Sequence, residues 1–209
     1  MQRVLRWSRI KANGAVRRFS DAAAAPSMPE APAAYSGGVK VIHWLSGGSV
    51  LGCFAYVNLA QNTTDKDAKM NYMFLHKSFG TLAAGLMVPR LALRLASKAP
   101  GPLTGVTWEQ MLAKASHFAM YGFLIAMPAT GVAMGYFGPK GLPFFTTTLP
   151  GMEAKKRKEM GAGKIAGQAF KIHKLLGQPM EILFAAHLGG VGYHVARGHG
   201  IFARIVPGL

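Results

Sequence analysis

The sequence predicts an all-α fold, an integral membrane four-helix bundle. Three observations predict it. First, half of the 209 residues are hydrophobic and 15% are charged, with 26 Gly, 12 Met and 12 Phe; that balance departs from soluble domains toward membrane helices. Second, four apolar stretches recur, at about 41–60, 72–95, 111–136 and 171–195, each near the roughly 20 residues that cross a bilayer. Third, the segments between them are polar, or rich in Pro and Gly, as turns are. The length suits one domain.

The chain opens on an arm, residues 1–20, that carries Arg3, Arg6, Arg9, Lys11, Arg17 and Arg18 and no acid. Val4, Leu5, Trp7 and Ile10 can line one side of a short helix, the pattern of a mitochondrial targeting segment. Arg17-Arg18-Phe19-Ser20 is similar to a matrix-processing pattern; the alternative is a retained basic tail on a membrane surface. Residues 21–34 are an Ala/Pro-rich linker with little to pack. The domain proper covers 35–209.

In the first stretch, 41–60, Cys53 is the chain's one cysteine, which excludes an intrachain disulfide or a thiolate metal cluster. The second stretch carries Pro89 and Arg90 in its last third, where a kink or early end is expected. Residues 97–107 read as a loop. The third stretch contains Pro128, whose freed carbonyl neighbouring helices can satisfy. The longest connection, 137–169, turns basic at Lys155-Lys156-Arg157-Lys158 before the fourth stretch begins. The formal net charge of +16 first suggests nucleic acid. The basic residues lie in the arm and between apolar stretches, however, where membrane proteins keep them, so nucleic acid is not an expected partner and lipid is.

The fourth stretch carries His173, Glu181, His187 and His194. Ionisable groups at membrane depth are costly and mark function. His173 and His187 are fourteen residues apart, which places them on one helix face and roughly 21 Å apart along it. Alternating helix direction converts sequence position into depth. His43, at the start of the first helix, falls level with His187; His76, at the start of the second, falls level with His173. Two imidazoles on facing helices are a common way to hold a b-type haem in a bundle, so two b haems are expected, on His43 with His187 and on His76 with His173. Zinc fits less well, since two histidines supply half of a structural site. A planar ligand against a helix needs backbone clearance. Each of the four has Gly at i+3 or i+4: Gly47, Gly80, Gly177 and Gly190. These glycines also suit plain close helix packing. His194, seven residues beyond His187 and followed by Gly198, is the rival ligand on that face. His117 lacks the glycine and reads as a neighbour of a ligand or as quinone-facing, His199 as an interfacial residue.

At this point the motifs resemble a family. I-H-W at 42–44, F-L-H-K-S-F-G at 74–80, S-H-F-A-M-Y-G-F-L-I-A-M-P-A-T-G at 116–131, I-H-K-L-L-G from Ile172 and A-H-L-G-G at 186–190 are similar to the bacterial-type cytochrome b561 family, over about 35–209. The resemblance implies a membrane protein with two b haems on His43, His76, His173 and His187, exchanging electrons with a quinone. One branch of the family oxidises superoxide and reduces ubiquinone; other members are haem subunits of larger oxidoreductases. The chain departs from the pattern at Lys174 and at the Gly177-Gln178-Pro179 break before Glu181.

The expected function is therefore di-haem electron transfer with the ubiquinone pool in the mitochondrial inner membrane, multi-pass, with superoxide:ubiquinone oxidoreductase as its most specific form. The alternative is a haem-carrying accessory subunit of a respiratory complex, with other subunits as partners. Lys40, Lys77, Arg90, Lys171 and Lys174 are candidates to neutralise haem propionates. His117, His194 and Glu181 are candidates to relay protons to the quinone.

Overall fold

A computed structural model describes residues 34–101 and 106–209. The expected targeting arm, and all of the expected linker except its last residue, lie outside the described residues.

The described residues form six helices and one two-stranded hairpin: α1 (Gly37–Asn62), α2 (Lys66–Ala96), α3 (Thr107–Phe137), β1 (Leu142–Phe144), β2 (Thr147–Leu149), α4 (Ala154–Glu159), α5 (Ala162–Ala196) and α6 (Ile201–Ile205). The expectation of an all-α, integral four-helix membrane bundle is overturned. Two helices, α2 and α3, are long and apolar enough to cross a membrane, with mean hydropathies of 1.3 and 1.5 over their best windows. The physical reason is dilution. α1 is interrupted by Ser46, Gly47, Gly48, Ser49 and Gly52, and α5 carries Lys164, Lys171, Lys174, Glu181 and three histidines. The hairpin arises where the long connection places β-branched Thr147 and Thr148 between Gly141, Pro143 and Pro150, Gly151. Such residues favour a short strand bounded by turns.

Local chemistry explains the helix ends. Asp65 caps α2: its carboxylate accepts from Asp67 N at 2.8 Å and Ala68 N at 3.2 Å, which satisfies two of the free first-turn donors. Asp67 in the first turn and Arg94 in the last complement the helix dipole. No early end occurs at Pro89; α2 continues through it to Ala96. Likewise α5 runs through Gly177 and Pro179 as one helix of 35 residues. Gly161, at φ 59°, makes the left-handed turn that separates α4 from α5.

α1 packs along α2, and α3 along α5, while α2 also meets α3 and β1. Buried serines in these helices are self-satisfied: Ser46 donates to Ile42 O at 2.7 Å and Ser49 to Leu45 O at 2.8 Å. The hairpin is pinned to α2. Ser78, fully buried, accepts from Phe145 N at 2.9 Å, and the Phe79 and Phe145 rings meet edge-on at 5.1 Å. These contacts hold Phe145 at its positive φ of 49°, a conformation that costs a non-glycine residue energy. At the other end, Lys40 of α1 is buried and donates to Ala203 O at 3.1 Å and Leu209 O at 2.7 Å. Trp44 Nε1 donates to Ile205 O at 3.0 Å. The segment around α6 is thereby strapped across the start of α1.

The outer faces stay apolar. Phe118 is 83% exposed, Leu95 78% and Leu175 74%, and α3 has no buried residue at all. The apolar α2 and α3 associate the chain with a membrane.

Candidate functional site

All seven histidines lie among the described residues, and each of them meets another histidine ring. At one end, His76 of α2 faces His173 of α5, ring centres 6.2 Å apart and planes at 84°. Both rings are fixed by their Nδ1 atoms. His76 Nδ1 lies 2.9 Å from Cys53 O; a carbonyl only accepts, so the proton is on Nδ1. His173 Nδ1 lies 2.8 Å from Thr130 Oγ1. Thr130 spends its one hydroxyl proton on Ala126 O and Met127 O, both at 2.9 Å, and therefore accepts from His173. With the proton of each ring on Nδ1, Nε2 keeps the lone pair that metal ligation requires.

At the other end, His43 of α1 and His187 of α5 have ring centres 6.4 Å apart at 54°. His117 of α3 joins them, 5.5 Å from His187, with its own Nδ1 2.6 Å from Ala113 O. Arg90 of α2 completes the cluster. Its Nη2 approaches His43 Nδ1 at 3.4 Å, a long contact, while Nη1 donates to Ile42 O at 3.3 Å. The guanidinium stands over the Tyr121 ring, 5.8 Å from its centre, and its Nε is buried with no hydrogen-bond partner among the described residues. A buried orphan donor on a permanent cation fits an acidic group of a ligand.

The other residues singled out from sequence divide. Lys40 is committed to the carbonyls of Ala203 and Leu209. Lys77 flanks His76 and is exposed; Lys171 and Lys174 flank His173 and are exposed. Glu181 accepts from Asn58 Nδ2 at 3.1 Å, between the two histidine pairs along α5. His194 and His199 pair with each other, Nδ1 to Nδ1, at 2.9 Å, one ring donating and the other accepting. Beside them Tyr193 donates to Glu109 Oε1 at 2.8 Å and accepts from Arg197, which ties α5 to the start of α3. Sequence reasoning missed Thr130, the Cys53 carbonyl and the part of Tyr121. Thr130 carried a weak signal, a hydroxyl two residues after a helix proline; a backbone carbonyl carries none.

The residues present fit a metal macrocycle. Imidazole–metal bonds of about 2.0–2.1 Å on both sides of one metal, with about 1.1 Å from nitrogen to ring centre, separate collinear ring centres by about 6.3 Å. Both pairs match that separation. Among the described residues no three His, Cys, Asp or Glu side chains converge to hold a bare metal ion, so a group bringing its own equatorial donors suits these pairs better than a free cation. The glycines agree. Gly47, Gly177 and Gly190 are half-buried, yet a Cβ built on any of them meets nothing within 4 Å, and one on Gly80 meets only Cys53 Sγ at 3.9 Å. The helices leave clearance one turn from each histidine of the two pairs.

Such paired histidines on helices of a membrane-associated chain define a class, the b-type cytochromes. The family model for prokaryotic cytochrome b561 matches residues 34–208, and the chain belongs to that family. Membership carries haem b binding and an electron-carrier role. No curated protein matches the sequence.

Proposed function

We propose that this chain carries electrons through two b haems, one held by His43 and His187 and one by His76 and His173, and exchanges them with the ubiquinone pool of the mitochondrial inner membrane. The observation that supports this best is the shared spacing of the ring pairs, 6.4 and 6.2 Å. Bound haem supplies reversible one-electron chemistry. The chain's own residues supply the rest. His76 and His173 bind through Nε2, oriented by Cys53 O and Thr130. Gly47, Gly80, Gly177 and Gly190 admit the macrocycles. Arg90 offers its free Nε to a propionate, and the exposed Lys77, Lys171 and Lys174 can do so at the other end. α5 spans both sites, with its two ligands roughly 21 Å apart.

Quinone reduction also consumes protons. His117 beside His187, the His194–His199 pair and Glu181 are the groups placed to hold or pass them. In the most specific form of the reading the donor is superoxide: two superoxide ions, one quinone and two protons give two dioxygen molecules and one quinol. The basic α4, with Lys155, Lys156, Arg157 and Lys158, would draw that anion toward the protein. The Arg-rich residues 1–20 support the mitochondrial location.

A reduced-minus-oxidised spectrum with haem quantitation tests the ligand set. Two haems per chain are expected, and one in His173→Ala; two haems retained in that variant would overturn it. Mixing the reduced protein with ubiquinone analogues tests the partner. Rapid reoxidation is expected. Stable haem with no reoxidation would instead point to an accessory subunit of a respiratory complex.

A further inference from the structure

The geometry points to a binding site for an acidic glycerophospholipid, held by its phosphodiester at the start of α5 and by an acyl chain between α5 and α3. This goes beyond the electron-transfer reading and does not depend on it. Two cavities carry it. The first, of about 710 Å³, lies among the end of α3, α4 and the start of α5; Phe137, Pro139, Arg157, Lys158 and Lys164 help to line it, and no acid does. The second, of about 520 Å³, lies between α3 and α5, and its walls include Ala129 and Ala133 of α3 and Ile165, Ala169 and Ile172 of α5. Lys164 lines both, so the basic cavity adjoins the apolar one.

The order of residues along the helices matches the order of groups in such a lipid. Lys164, Gln168 and Ile172 line the second cavity four residues apart, one stripe of α5 rising roughly 6 Å per step. A cation, an amide donor and an apolar side chain thus follow one another as a phosphate, a glycerol ester and an acyl chain do. α3 agrees: Phe137 is its last residue, and Ala133 and Ala129 lie one and two turns back along a helix apolar enough to cross a membrane. The small side chains of Ala129, Ala133 and Ala169 leave the groove open. Arg157 is half-buried, and its planar fork suits two phosphate oxygens. Arg157, Lys158 and Lys164 join no ion pair among the described residues. The acids of this segment, Glu153 and Glu159, line neither cavity. Exposed lysines alone hold an anion weakly, because water and salt screen them; the adjoining groove adds apolar burial that a free anion cannot gain. Basic pockets beside membrane helices take anionic headgroups in this way. Lys155 and Lys156 also line neither cavity, so they remain free to attract a small anion.

Native mass spectrometry of the purified full chain in detergent, titrated separately with phosphatidylglycerol and phosphatidylcholine, tests this. Phosphatidylglycerol should be retained, with phosphatidylcholine at least about tenfold weaker. Each cation near an anionic group contributes about fivefold, so Arg157→Gln, Lys158→Gln and Lys164→Gln together should weaken phosphatidylglycerol on the order of 100-fold. Lys155→Gln with Lys156→Gln, which removes charge outside the cavities, should change it by no more than about twofold. Ala133→Leu keeps every charge but fills the groove, and should weaken the lipid by about tenfold. Millimolar inorganic phosphate should not displace it. Equal binding of the two lipids, equal losses in the triple and double variants, or unchanged binding in the triple variant or in Ala133→Leu would overturn the proposal. Displacement by inorganic phosphate would overturn it too, in favour of a site for free anions. If the triple variant fails to fold, Lys164→Gln alone and Ala133→Leu decide. No haem measurement enters, so failure here and failure of the ligand reading are distinct results.

Discussion

Replacing Gly177 by Leu separates a haem cradle from ordinary helix packing. Gly177 lies one turn beyond His173 on α5, on the same helix face, is half-buried, and has open space around a built Cβ out to 4 Å. The Cβ of a leucine there meets no described atom within 4 Å. In an α-helix interior it is favoured over glycine by about 0.5–1 kcal/mol, so the polypeptide fold should tolerate it. A macrocycle between His76 and His173 would meet the new side chain. Overpacking costs about 1–3 kcal/mol, which is roughly 5- to 150-fold in affinity. Haem content after size exclusion in detergent should fall from two per chain toward one, with thermal unfolding of the apoprotein unchanged or slightly later. Two haems retained with wild-type spectra would refute the cradle, and an apoprotein that unfolds markedly earlier would show that Gly177 is a packing residue.

Other positions test the frame around the sites. A Cβ on Gly52 would stand 2.8 Å from the Phe79 ring, so Gly52→Ala should separate α1 from α2 and cost about 1–3 kcal/mol, read as a lower midpoint in thermal unfolding; an unchanged midpoint would show that the Phe79 ring yields freely. Lys40→Met removes the bonds to Ala203 O and Leu209 O, each worth about 1.5–3 kcal/mol for a charged donor. Hydrogen exchange at residues 201–206 should quicken while α2 is unaffected. Glu181→Gln keeps an oxygen for Asn58 Nδ2; stability should stay within about 0.5 kcal/mol, while ubiquinone-analogue reduction slows if Glu181 passes protons. An unchanged rate would leave it a structural contact.

The positions of the four long helices were legible in the chain because apolar runs and punctuation act locally. The apolar stretches all fall within long helices, although the first and last of these proved too dilute in apolar residues to count as spans. The motifs that carried the family resemblance lie inside the segment matched by the b561 family. Spacing along α5 was legible as well, since helix geometry alone relates His173 to His187. The hairpin was not legible. Its strands are three residues each and exist because Ser78 and Phe79 receive Phe145, a contact 67 residues away in sequence. Lys40 was read as a propionate partner and instead serves the C-terminal carbonyls, because no local pattern reveals which distant backbone will fold over it.

The sequence alone determined where the four long helices run, which histidines share a face and which family the chain resembles. These follow from periodicity and residue chemistry over a few turns. The tertiary structure alone decided the identity of the atoms behind three of the four paired rings: a carbonyl and a threonine at one end, a guanidinium beside His43 at the other. Hydrogen-bond direction and the position of a buried charge depend on helices brought together from far along the chain. That placement distinguishes two histidine pairs that the sequence presents as equivalent.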